Sequence, residues 1–198
     1  MLAGWSSALD EFKGQILVSD ENKERIRNAT LELATSENTD RKIQNAASYV
    51  VSKIASADFP QDWSGLLPTL LHLIPQATGS RLHGALKVLA DLVEDGFSEA
   101  QFFQVAQELV GTVHGVAQNG QIEPALRALA VSVFRSSFDT LEMILEDHKA
   151  AVKGFAEQAV DAWMPLFADV MSAKLPSQNE HEERYNGLVA LKVQVIKV

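Results

Sequence analysis

The 198 residues contain no cysteine. Disulfide frameworks, thiolate zinc sites and cysteine nucleophiles are therefore excluded, and nothing points to an oxidising compartment. Long hydrophobic runs are missing too. The most apolar stretch, Ser64–Ile74, is too short and too interrupted to cross a membrane. The start, MLAGWSSALDEF, lacks the basic and long apolar regions of a signal peptide. Positive charge is scarce, with 17 Lys+Arg against 26 Asp+Glu and a net charge of −9. Such acidity argues against a phosphate-backbone binder and leans towards a basic partner, so neither nucleic acid nor membrane is expected as a ligand. The expectation is a soluble, acidic, intracellular protein.

Catalytic signatures are equally sparse. No Gly-x-Ser-x-Gly elbow, P-loop or Gly-x-Gly-x-x-Gly loop occurs. The five histidines, at 72, 83, 114, 148 and 181, never share the i, i+4 spacing that places two metal ligands on one helix face. His181-Glu182-Glu183 begins like a zincin motif, but Tyr185 stands where the second histidine belongs, which leaves a charge cluster at a helix start. Asn28-Ala29-Thr30 is a formal glycosylation sequon inside a helical pattern. Trp63 and Trp163 fall on apolar faces and read as core rather than as base-stacking platforms. No catalytic residue, cofactor or metal is assigned.

What is present is helical periodicity, with almost no strand-like alternation. Helices are expected over 20–34, 39–57, from Trp63 to Ile74, 80–95, from Ser98 to about Val116, 122–146, 149–174 and 182–198. Ser19, with acids behind it, is a natural N-cap, and Asp62 is a possible cap for the third helix. Pro60 should hold Phe59 out of the helix, and Asn119-Gly120 should form a turn. Gly96 is expected to close one helix, Asp147-His148 to separate two, and Pro165 to kink or split the seventh. In the second helix Ile43, Ala47, Val50, Ile54 and Ala57 form the expected buried stripe, with Arg41, Asn45, Ser48, Ser52 and Ser56 opposite.

Helix follows helix in pairs, with boundaries near 20, 60, 98 and 149. A period of roughly 40 residues fits HEAT or armadillo units better than ankyrin or tetratricopeptide ones. The expected fold is all-α: a right-handed α-solenoid of about four HEAT repeats built from antiparallel helix pairs, with repeats at 20–59, 60–97, 98–148 and 149–198. A compact helical bundle would carry the same stripes. Neither end has the polar outer face of a capping repeat, which suggests a fragment of a longer solenoid whose exposed end faces would self-associate. Second helices of such pairs commonly line the concave face. Their polar stripes, Arg41, Asn45, Ser48 and Ser52 on one helix and His83, Lys87, Asp91 and Glu94 on the next, are the candidate partner-binding residues. Asp139, Glu142 and Glu146 would extend this side with negative charge suited to a basic ligand.

The run from Ala46 to Pro75 carries Ile54-Ala55, then Asp58-x-Pro60-x-x-Trp63, then Leu66-Leu67-Pro68, and resembles the importin-β (karyopherin-β) family. In that family this spacing marks the junction of the second and third HEAT repeats. The segment His83-Gly84-Ala85-Leu86-Lys87-Val88-Leu89 looks most like importin nine and its fungal counterparts, and the similarity extends over nearly the whole chain. The resemblance implies a nuclear transport receptor, shuttling between cytoplasm and nucleus. It would bind Ran-GTP through its amino-terminal repeats, carry basic cargo such as histones, release that cargo on Ran-GTP binding and dock nucleoporin FG repeats on its convex side. It further implies that a repeat preceding about Trp5, a main Ran contact, lies outside these residues, and Ran binding is expected to draw on it. The alternative is a cytosolic HEAT scaffold or regulatory subunit with no GTPase partner. On either reading, Arg at 48 and 52 should block a close-packed partner while leaving helicity intact.

Overall fold

The computed structural model describes residues 18–37, 39–95, 99–144 and 149–198. Trp5, Gly96, Ser98, Glu146 and the Asp147-His148 break lie outside the described residues. Among the described residues there are eight α-helices and no strand: α1 Asp20–Ala34, α2 Arg41–Asp58, α3 Leu66–Leu73, α4 Gly79–Asp95, α5 Glu99–Gln118, α6 Pro124–Ile144, α7 Lys149–Ser172 and α8 Glu182–Lys197. None of these is long and apolar enough to cross a membrane.

The helices pair in sequence order and then stack. α1 packs on α2, α3 on α4, α5 on α6 and α7 on α8. The second members lie against one another in turn, α2 on α4, α4 on α6 and α6 on α8, while α3 meets α5 and α5 meets α7. Two layers of stacked helices result, an all-α solenoid of HEAT-like pairs rather than a closed bundle. The core runs continuously between the layers. Leu66, Leu70, Leu82, Leu86, Leu89, Leu109 and Phe134 are fully buried, each contributing about 1.5–3 kcal/mol of transfer free energy. Trp163 is 1% exposed and stacks on Phe134 with ring centroids 3.9 Å apart, joining α7 to α6, and Trp63 is also buried.

Local chemistry sets the helix ends. The Ser19 side chain accepts from the Asn22 N–H at 3.4 Å, ahead of Asp20 and Glu21, and Asp40 caps α2 through the Lys42 N–H at 2.8 Å. Asn119 Oδ1 accepts from the Gln121 N–H at 2.9 Å in the turn before α6. The Asp58–Trp63 element is a structural junction. Phe59 leaves the helix in an extended conformation before a cis Pro60. The Asp58 carbonyl accepts the N–H groups of Asp62 and Trp63 at 2.7 and 3.1 Å. The buried Asp58 carboxylate takes the Arg27 guanidinium through Nε at 2.7 Å and Nη2 at 2.5 Å. This pair matters because α1 buries only Ala34 and has little apolar grip of its own.

Three expectations are corrected. Asp62 does not cap α3: the helix starts later, at Leu66, with Gly65 at the cap position and no side-chain cap, while Asp62 lies in the turn closed on the Asp58 carbonyl. α7 runs unbroken through Pro165 rather than splitting, held on both sides by buried Trp163 and Leu166. The buried face of α2 is turned from the expected one: Ile43 and Val50 are 52% and 41% exposed and Ala57 is exposed, while Gln44, Ala47, Ser48, Val51, Ser52, Ile54 and Ala55 are buried. The serines can go inside because each satisfies its own hydroxyl, Ser48 on the Gln44 carbonyl and Ser52 on the Tyr49 carbonyl, both at 3.0 Å.

Small residues let α4 come close. A Cβ on Gly84 would lie 1.8 Å from the Ala34 carbonyl oxygen. Gly84→Ala should therefore lower the unfolding free energy by about 1–3 kcal/mol, against the roughly 1 kcal/mol gain that helix propensity alone gives Ala over Gly. A urea midpoint that rises instead would show that the two helices can separate freely. Asp58→Ala, which strands the Arg27 guanidinium, should cost about 3–5 kcal/mol in the same measurement.

Candidate partner-binding face

The second-layer helices run parallel, as their contacts show. Gln44 near the start of α2 meets His83 near the start of α4, Glu94 late in α4 meets Ser136 in the second half of α6, and Gly187 early in α8 lies against Ala125 early in α6. Their outward surfaces thus form one continuous face, along which residues from four helices fall into rows.

Of the residues expected there, Arg41 and Asn45 are exposed at the start of α2. Ser48 and Ser52, at 0% and 9% exposure, are not on this face at all. They belong to the packed side of α2, so arginine at either position would disrupt the core instead of blocking a partner. His83, Lys87 and Asp91 are half-buried on α4, and Lys87 Nζ donates to Asp91 Oδ1 at 2.5 Å. Glu94 is exposed, its Oε1 accepting a long 3.4 Å bond from the Ser136 hydroxyl. Asp139 is exposed on α6. Glu142 lies on α6 with a side chain outside the described ones, and Glu146 lies outside the described residues.

The structure brings Arg41 and His83 into one cavity of about 260 Å³, lined also by Glu123, Leu129, Ser132 and Gln194. Beneath it lies a residue that pattern reading missed. Gln44 is fully buried, and its Nε2 donates to the carbonyls of Ser36 and Ser80 at 3.2 and 2.7 Å. Carbonyls only accept, so this orientation turns Gln44 Oε1 towards His83 Nδ1, 3.2 Å away. Nδ1 must carry a proton, which fixes the neutral tautomer of His83 and leaves Nε2 as its free ring atom. The sequence signal for Gln44 was its register, one turn before Ser48 and two before Ser52, among small residues able to admit a second helix.

Burial lowers the His83 pKa, and the charges of Arg41 and Lys87 push it the same way. A histidine depressed in the folded state binds fewer protons there than when unfolded. The associated stability is fully present above the unfolded value of about 6.5 and is lost as pH falls below it towards the folded value. His83→Gln should remove this component. The thermal midpoint of the native chain is expected to fall more steeply than the variant's between about pH 7 and pH 5, and parallel slopes would contradict it.

No family model matches the chain. Importin subunit beta-5 of Schizosaccharomyces pombe is 28% identical over 174 residues, 86% of this chain and 17% of that protein. Importin subunit beta-5 of Saccharomyces cerevisiae is 31% identical over 102 residues, 50% of this chain and 10% of that protein. The chain therefore spans less than a fifth of the length of the curated relatives it matches. The importin-β resemblance carried by the Asp58–Trp63 junction is borne out: over most of its length this helical array is similar to a named importin β subunit.

Proposed function

We propose that the chain is part of a nuclear transport receptor and that its second-layer face docks protein partners. The observation that carries this reading is the continuous face of four parallel helices in a chain similar to importin β subunits. Two exposed acids support a basic cargo, such as histones, at one edge: Glu94 and Asp139 lie in the C-terminal halves of α4 and α6. Glu94, in the last turn of α4, opposes the helix dipole at about 0.3–1 kcal/mol. A cationic partner would offset that cost and gain on-rate from the field. Glu142 and Glu146 would continue the edge. On the same reading, Ran-GTP binds the intact receptor and displaces cargo, FG nucleoporins dock on the first-layer helices, and the protein moves between cytoplasm and nucleus. The units would be 20–59, 60–97, 98–148 and 149–198.

The direct test titrates Ran, loaded with a GTP analogue or with GDP, against the longer parent protein and against this chain. GTP-selective binding by the parent is expected; its absence would leave a HEAT scaffold without a GTPase partner. Within this chain, reversing Glu94 and Asp139 together to Lys should weaken core-histone binding about tenfold at low salt, and unchanged affinity would remove the acidic edge from the site.

A further inference from the structure

Resting on the reading of the second-layer face as a docking surface, we propose that the cavity between Arg41 and His83 seats the carboxylate of an acidic residue on a protein partner, and that seating it draws a proton onto His83. The acidic edge and this socket would then give the face a polarity that fixes which way round a partner lies.

Size comes first. About 260 Å³ accommodates one or two side chains and is small for a cofactor, so the cavity is a socket within a broader interface. The groups facing His83 can be followed element by element. From α2 comes Arg41, which makes no ion pair with any described residue. From its own helix comes Lys87, one turn on and engaged by Asp91. Glu123, ahead of α6, is the acid lining the cavity, and no ion pair joins it to Arg41. On α6 the Ser132 hydroxyl is turned to the Leu129 carbonyl at 2.7 Å. α8 contributes Gln194, which is uncharged. Arg41 and Lys87 act on His83 as like charges, and no acid is among the groups that raise its proton affinity. Among the described residues Arg41 and Glu123 are thus the one cation and the one acid lining the cavity, and because no ion pair joins them the Arg41 guanidinium is left for an incoming carboxylate.

The fixed tautomer supplies the coupling. Gln44 occupies Nδ1–H, so neutral His83 offers only a lone pair at Nε2, which repels a carboxylate oxygen. Protonation turns Nε2 into a donor. A carboxylate held by Arg41 would accept that N–H and offset the repulsion that otherwise keeps the ring neutral. Atoms balance simply: one proton moves from solvent to Nε2, and no bond other than hydrogen bonds forms.

The test uses this chain with a fluorescein-labelled decapeptide of alternating Glu and Gly, and its uncharged Gln-Gly counterpart, read by anisotropy at low salt. The Glu-Gly peptide is expected to bind the more tightly, with an affinity about threefold or more higher near pH 6 than near pH 8. Arg41→Gln should weaken it about fivefold at both pH values. His83→Gln should abolish the pH dependence, with circular dichroism confirming that both variants fold. Equal binding of the Gln-Gly peptide, binding indifferent to Arg41→Gln, or pH dependence surviving in His83→Gln would each overturn the proposal. Because neither Ran nor histones enter, this outcome is independent of the transport reading.

Discussion

The close approach of the first two helix pairs is the constraint from which much of this architecture follows, and Gly84 sets it. With the Ala34 carbonyl where a Cβ would stand, α4 can sit against both α1 and α2 only because position 84 has no side chain. The facing residues of α2 obey the same limit: Ala47, Ser48, Ser52 and Ala55 are all small and all buried. Gln44 and Ser48 are fully buried there, so each polar group inside needs a partner. Gln44 meets that demand by binding three groups at once, the Ser36 and Ser80 carbonyls and the His83 ring.

Gln44 also ties the core to the surface. It holds the loop after α1 and the start of α4 with one end of its amide, and presents His83 to the cavity with the other. A residue on the outer face is thus oriented by the interior, and its protonation chemistry is set by carbonyls it never touches. The junction at Asp58 has a similar double use. Its carbonyl shapes the turn to α3 while its carboxylate anchors α1, whose own apolar contribution is slight. That one aspartate answers both needs gives a physical reason for the Asp-x-Pro-x-x-Trp spacing.

Most of the helices could be read from the sequence. α3 and α4 bury large side chains at helical spacing, Leu66 and Leu70 on one and Leu82 and Leu89 on the other, and large side chains mark a face unambiguously. α2 went the other way for the same reason. Its exposed side carries Ile43 and Val50 while its buried side carries serines and a glutamine beside the expected Ala47 and Ile54, so hydrophobicity placed the buried face part-way round the helix from where it lies. Two of the residues expected at the surface, Ser48 and Ser52, were lost with it. Arg41, Asn45, Glu94 and Asp139 are exposed because charged and amide groups remain in water unless partnered, and no pattern of neighbours was needed to place them.

By itself the sequence determined an all-helical chain, its helix boundaries, its pairing rhythm and its negative charge, since these follow from local propensity, capping and composition. Only the tertiary structure decided which side of α2 faces inward, that Arg27 meets Asp58 across the first pair, and that Arg41 shares a cavity with His83, whose ring Gln44 holds. Those facts depend on how closely helices approach. That distance is set by pairs of residues far apart in the chain, Gly84 and Ala34 above all, whose meeting no local pattern encodes.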